Sequence, residues 1–201
     1  MKKRVVIIGG SIGGLSAALV LASAIKGELD FELSIIEKGG KEADLYKADV
    51  YNVPMFRAGI NGEEIIASTK EQLNKLAKVE FIEAEATEVR GEKGDFEVSG
   101  AGFVKKADYV IVATGASACN IKGLESFVKS HTLMPKPGKV CLEVSGRNVV
   151  KDGIYAAGIV SGVTTMVACA MGSATETACA ILSDIAGGIA VIHDFKGSRK
   201  A

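Results

Sequence analysis

The chain has 201 residues, 24 Lys plus Arg against 24 Asp plus Glu, a formal net charge of zero and 48% hydrophobic residues. That length predicts one domain, or one with a small appendage. The balanced charge excludes the electrostatic footprint of a nucleic-acid binder and a polybasic membrane anchor, and the hydrophobic share excludes disorder.

Residues 4–8 (RVVII) form a short β-branched run, read as a buried parallel strand. Residues 12–26 are rich in Ala and Leu and read as a helix, and residues 31–37 (FELSIIE) as a second strand. Basic Lys2-Lys3-Arg4 ahead of the uncharged stretch 5–25 imitates a signal peptide. Gly9-Gly10-Ser11 and Gly13-Gly14 break that stretch, which suits a strand, a turn and a helix instead. The charges of residues 41–49 (KEADLYKAD) predict a solvated loop. Across residues 63–77, Ile65, Ile66, Thr69, Leu73 and Leu76 share one face of an amphipathic helix. Residues 79–106 carry β runs separated by Gly91, Gly94, Gly100 and Gly102, which predicts a small antiparallel meander. Residues 109–113 (YVIVA) are another buried strand, residues 116–138 hold no strong periodic element, and strands follow at 139–144 and 154–157. Residues 164–186 read as a long helix, and the tail after Phe195 as loose. The uncharged stretch 153–175 is long enough to span a bilayer, but its glycines divide it into strand, turn and helix, so no membrane segment is expected.

The strongest local signal is Gly9-Gly10-Ser11-Ile12-Gly13-Gly14 between the first strand and the first helix. A dinucleotide fingerprint needs G-x-G-x-x-G there: one glycine for the tight turn, one to admit the pyrophosphate, one for close helix–strand packing. The helix N-terminus then offers unpaired N–H groups to the phosphates. Gly9 and Gly14 fill the first and third places, and the small Ser11 stands at the second. Glu37, with Lys38 beside it, ends the second strand roughly twenty positions on, where a ribose-binding carboxylate belongs. A carboxylate there would repel a 2′-phosphate, which disfavours NADP. This βαβ unit alone does not distinguish FAD from NAD.

Four stretches, IIGGSIGGLSAA, YNVPMFRAGINGEEIIASTKEQL, ADYVIVATGA and DGIYAAGIVSG, together resemble the FAD-binding half of the thioredoxin reductase-like pyridine nucleotide–disulfide oxidoreductases. The resemblance implies an α/β, Rossmann-like FAD-binding domain over residues 1–195, with a central parallel sheet, a small antiparallel meander and a flexible tail at 196–201. It also implies cofactor contacts at Ala113, Thr114 and Gly115, at Asn52 ahead of Pro54, at Ala86 in the meander, and at Thr165, Met166 and Val167 where the last helix begins. With Gly9, Gly10, Ser11, Ile12, Gly13, Gly14, Glu37, Lys38, Gly158 and Ile159, these make the expected FAD site. Two departures stand out. The family's Ala-Gly-Asp reads Ala157-Gly158-Ile159 here, so a hydrogen bond worth ~0.5–1.5 kcal/mol is missing. Residues 117–138 replace the family's inserted NAD(P)H domain and its redox CxxC.

The four cysteines, Cys119, Cys141, Cys169 and Cys179, form no CxxC, and with two histidines no metal site is expected. Free thiols suit a reducing cytoplasm. Cys169 and Cys179 lie about 15 Å apart on one helix, beyond disulfide reach. Cys119, read as surface-exposed, and Cys169 are the candidate redox thiols. Three readings compete. The first is a flavoprotein oxidoreductase exchanging electrons between non-covalent FAD and free NAD(P)H or a redox partner protein. The second is a non-catalytic FAD-binding or assembly subunit, and the third a single-domain NAD-binding protein. Apolar surface left by the absent domain predicts a homodimer.

Overall fold

The structure, a computed structural model, describes residues 2–26, 29–39 and 43–193. Strand β1 (Lys2–Ile8) runs through a glycine turn into helix α1 (Ile12–Ser23) and returns as β2 (Asp30–Glu37). A short antiparallel pair, β3 (Asp49–Val50) and β4 (Ile60–Asn61), precedes α2 (Gly62–Leu76). Then come β5 (Val79–Glu83), β6 (Ala86–Arg90), β7 (Phe96–Gly100), β8 (Phe103–Ala107) and β9 (Tyr109–Val112). The chain continues through the antiparallel pair β10 (Val128–Ser130) and β11 (Val140–Leu142) to β12 (Val149–Lys151), β13 (Ile154–Ala156) and α3 (Val167–Ala186).

The central sheet has the order β12-β13-β9-β1-β2-β5, parallel throughout except at the β12 edge. Successive residues of β1 serve opposite faces. Val5 and Ile7 join Leu33, Ile35 and Ile111 under α1, α2 and α3. Val6 and Ile8 join Ile36, Val110 and Val112 under the meander residues Val89, Phe96 and Val98. Burial on both faces explains why these strands read as unbroken apolar runs rather than alternations. The chain leaves β1 toward β2 on one side and reaches β9 on the other. The carboxyl ends of β1 and β9 therefore flank a topological switch point, where open α/β sheets bind ligands.

The α/β architecture with a parallel sheet and a meander is as expected, and several details differ from the sequence reading. Val79–Glu83 pairs in parallel with β2 and belongs to the central sheet, so the meander is β6-β7-β8 alone. Residues 41 and 42 of the expected solvated loop lie outside the described residues. Its remainder contains a single 3-10 turn, Asp44–Lys47, whose Leu45 is buried. The last helix starts at Val167 because Gly162 is left-handed (φ 87°) and Met166 is extended. The expected loose tail after Phe195 lies outside the described residues. Among the described residues no helix is long and apolar enough to cross a membrane.

Helix α2 is set locally: the Asn61 side chain accepts the Glu63 N–H, two glutamates occupy the first turn and Lys75 the last. At the opposite edge of the sheet from the switch point, Asp108 locks β9 to β1. Its carboxylate accepts the Arg4 backbone N–H (2.7 Å) and the Arg4 guanidinium (2.7 Å). Burial pushes the Asp108 carboxyl up, but the Arg4 bonds outweigh it and hold the group below its ordinary value. A depressed native carboxyl contributes stability that is complete above the ordinary Asp value of ~4 and is lost as pH falls through the lower native value. Asp108→Asn is expected to lower unfolding free energy at pH 7 by about 1–2 kcal/mol and to flatten the acid limb of the stability–pH curve. Urea denaturation between pH 2 and 7 measures both.

Candidate functional site

A cleft of about 560 Å3 opens at the carboxyl ends of β1, β2, β9 and β13, within the roughly 300–1,000 Å3 of small-molecule sites. Its floor is backbone packed on backbone. Gly9 is left-handed at φ 121°, and a methyl group there would lie 2.2 Å from the Ala113 carbonyl oxygen. A methyl at Gly14 would lie 1.9 Å from the Gly9 carbonyl oxygen, and one at Gly13 3.1 Å from the Gly158 Cα. The glycines are therefore required by the protein's own packing. That packing brings the start of α1, the end of β9 and the turn after β13 together.

Two helices open onto this cleft. The N-cap of α1 is Ser11, which makes no side-chain capping bond, and no acidic residue occupies its first turn. The N-cap of α3 is Met166, again without a capping bond or a first-turn acid. Each helix thus leaves its first-turn N–H groups without an intrahelical acceptor and presents partial positive charge. Both termini line one cavity. Thr114 Oγ1, just after β9, is buried; among the described residues it makes no well-formed hydrogen bond, its polar neighbour being the Cys119 thiol. Two uncapped helix starts opening on one cleft fit a ligand with anionic groups.

Charge divides the cleft. Its ionised lining residues, Glu37, Lys38, Asp44 and Glu85, all lie toward β2 and β5. The Glu37 carboxylate stands over Gly10, where a methyl would meet Oε2 at 2.1 Å, and Oε1 accepts the Lys70 ammonium at 2.8 Å. Among the described residues the other end, around Ile159, Met134, Met166 and Ala170, carries no charged side chain.

The cleft gathers Gly9, Gly10, Ser11, Ile12, Gly13, Glu37, Lys38, Ala86, Ala113, Thr114, Gly115, Gly158, Ile159, Thr165, Met166 and Val167. Gly14 sits behind the turn, packed on Gly9. Asn52 does not line the cleft; it is exposed on the loop between β3 and β4. Cys119 lines the cleft but is 6% exposed, which corrects the expectation of a surface thiol: it packs with Ile121, Leu124 and Val112 on the meander face. Burial pushes its thiol up, which the Thr114 hydroxyl only partly offsets, and a thiol held protonated is a weak nucleophile. Cys169 lies outside the lining, and all four cysteines are free. Among the described residues no group of His, Cys, Asp and Glu is placed to hold a metal.

Sequence reasoning missed three contributions. Leu45 and Tyr46 reach the cleft from the supposed solvated loop. Ser117, Ala118, Asn120, Ile121 and Met134 come from the non-periodic segment 117–138. The third is a set of buried hydroxyls behind α3. Thr177 Oγ1 donates to the Ala156 carbonyl (2.6 Å), Ser161 Oγ to that of Gly158 (2.8 Å), and Ser161 and Ser173 hydroxyls meet at 2.5 Å. Asn148, left-handed at φ 62°, donates to Ser173 and Thr177. Small hydroxyl residues on an apolar helix were the available signal.

A family model described as pyridine nucleotide-disulphide oxidoreductase matches residues 3–140. The comparison with curated proteins finds no match. Among solved structures, a thioredoxin reductase from Gloeobacter violaceus superposes with a TM-score of 0.76 at 12% identity, covering 96% of this chain and 98% of its own. An oxidoreductase from Agrobacterium tumefaciens gives 0.70 at 19% identity, covering 93% and 99%. A ferredoxin-flavin thioredoxin reductase from Clostridium acetobutylicum gives 0.66 at 14% identity, covering 92% and 99%. At these identities the likeness is one of fold.

Removing one member of the hydroxyl set strands its partners in a dry interior. Thr177→Val is expected to cost about 1–3 kcal/mol in unfolding free energy, read from urea denaturation.

Proposed function

From the premise that the chain belongs to the pyridine nucleotide-disulphide oxidoreductase family, we propose that it is a flavoprotein oxidoreductase that holds FAD non-covalently in the cleft and exchanges electrons with an external partner. The observation that carries this reading is the pair of uncapped helix N-termini opening on one cavity. A diphosphate at the first and an electron-rich ring edge at the second satisfy both.

The proposed contacts follow the cleft from end to end. Glu37 accepts a hydrogen bond from the adenosine ribose, and backbone at Ala86 lies at the adenine end. First-turn N–H groups at Ser11, Ile12 and Gly13 receive the pyrophosphate. Ala113, Thr114 and Gly115 line the stretch of the cleft just after β9 and meet the cofactor there. Thr165, Met166 and Val167 present the start of α3, whose partial positive charge favours added negative charge on the ring. Bound there, FAD supplies the two-electron chemistry, and the protein supplies position and field. The cysteines form no CxxC, and Cys119 is buried with its thiol pushed up. The redox exchange is therefore assigned to an outside molecule, free NAD(P)H or a partner protein. Self-association as a dimer follows from the apolar surface that the family's absent domain would otherwise cover.

Ile159 favours a second reading, a non-catalytic FAD-binding or assembly subunit, because it puts an alkyl group in the cleft wall where the family carries an acid. Visible absorbance separates the two. A yellow protein bleached anaerobically by NAD(P)H or by a reduced carrier protein is the expected result. A yellow protein inert to every reductant favours the second reading. A colourless protein that refuses FAD overturns both. Glu37→Ala is expected to weaken FAD binding roughly ten-fold, the loss of one charge-assisted hydrogen bond, as measured by equilibrium dialysis.

A further inference from the structure

Residues 117–138 do more than close a gap in the chain. They build one wall of the cleft, with Cys119, Asn120 and Met134 among its lining residues. The same segment carries His131, a histidine only 7% exposed. The Leu133 N–H donates to His131 Nδ1 at 3.2 Å. A backbone amide can only donate, so in this geometry Nδ1 accepts and Nε2 is the donor. His131 Nε2 lies 3.1 Å from the Ile159 carbonyl oxygen, so the Nε2–H donates to that carbonyl.

Both ends of this link are anchored. On one side, the His131 N–H donates to the Lys139 carbonyl (2.8 Å) and the Val140 N–H to the Ala116 carbonyl (2.9 Å), which closes the segment on itself. On the other, Ile159 follows the left-handed Gly158 (φ 72°), whose Cα presses on Gly13 in the first turn of α1. The segment, the turn after β13 and the phosphate-facing start of α1 thus form one connected unit. The imidazole adds a hydrogen bond to this unit beside the packing of β11 on the turn at residues 158–161.

We propose that His131 is a positioning residue for the cleft: its ring straps the segment 117–138 to the Ile159 carbonyl and so holds the wall containing Met134 and Asn120 against the turn at residues 158–161. The effect on FAD rests on the function proposed above, whereas the strap itself does not.

Hydrogen exchange of the FAD-free protein, followed by mass spectrometry, tests the strap directly. His131→Ala is expected to speed exchange at residues 131–140 and 159–162, where the His131, Leu133, Val140 and Gly162 amides donate, roughly ten-fold, the equivalent of about 1.4 kcal/mol. His131→Gln, whose amide both donates and accepts, is expected to stay close to wild type, which separates lost hydrogen bonds from lost bulk. His131→Leu fills the space without hydrogen bonds and replaces the alanine variant if that fails to fold. FAD affinity, measured on the same proteins, is expected to fall in the same order. Unchanged exchange at both segments in His131→Ala or His131→Leu overturns the proposal. So does a glutamine variant as loose as the leucine variant. Faster exchange with undiminished FAD affinity overturns the positioning role. Failure of the wild type to take up FAD overturns the function proposed above and leaves the exchange result to decide the strap.

Discussion

At the carboxyl edge of the central sheet, three segments of backbone touch without side chains between them. Gly9 lies against the Ala113 carbonyl, Gly14 against the Gly9 carbonyl and Gly13 against Gly158. A single methyl group at the first or third glycine of the turn would overlap a carbonyl oxygen. These approaches fix the start of α1 beside the end of β9 and the turn after β13. From this constraint follow the position of the cleft, the direction of the α1 dipole and the reach of the segment 117–138.

Electrostatics at the cleft is built from backbone more than from side chains. Ser11 and Met166 leave the starts of α1 and α3 uncapped. Helix starts in this state are usually satisfied by water or a ligand. The ionised side chains cluster at the β2 end, and the far end is apolar. That gradient suits a ligand with a polar, sugar-bearing half and a flat, weakly polar half. The buried hydroxyls of Ser161, Ser173 and Thr177 hold α3 against β13 and the turn that follows it.

Much of this was legible in the sequence where one local rule dominates. RVVII, YVIVA and the glycine turn each report a buried strand or a backbone approach, and Glu37 could be placed by its distance from the turn. Legibility failed where tertiary contacts decide. Val79–Glu83 reads as meander because a strand's partner is not encoded in its own alternation; its pairing with β2 is a long-range choice. Leu45 sits among charges that suggested a solvated loop, yet its side chain is buried under α2 and its carbonyl abuts Gly62. Cys119 looked exposed because it follows a turn, and the meander that covers it is built from residues earlier in the chain. Asn52, placed by resemblance alone, stands on an exposed loop. His131 carried no pattern, because its bonds to Leu133 and Ile159 exist only after the segment folds back.

The central proposal is that the two helix starts, opening on one cleft, together recognise a flavin dinucleotide, and neither half of it alone. Calorimetric titration of the cofactor-free protein with FAD, riboflavin and NAD tests this most directly. The expected result is one FAD per chain, bound at least roughly ten-fold more tightly than riboflavin, which lacks the diphosphate, and than NAD, which lacks the ring system. NAD binding as tight as FAD, riboflavin binding as tight as FAD, or no uptake of FAD would contradict it.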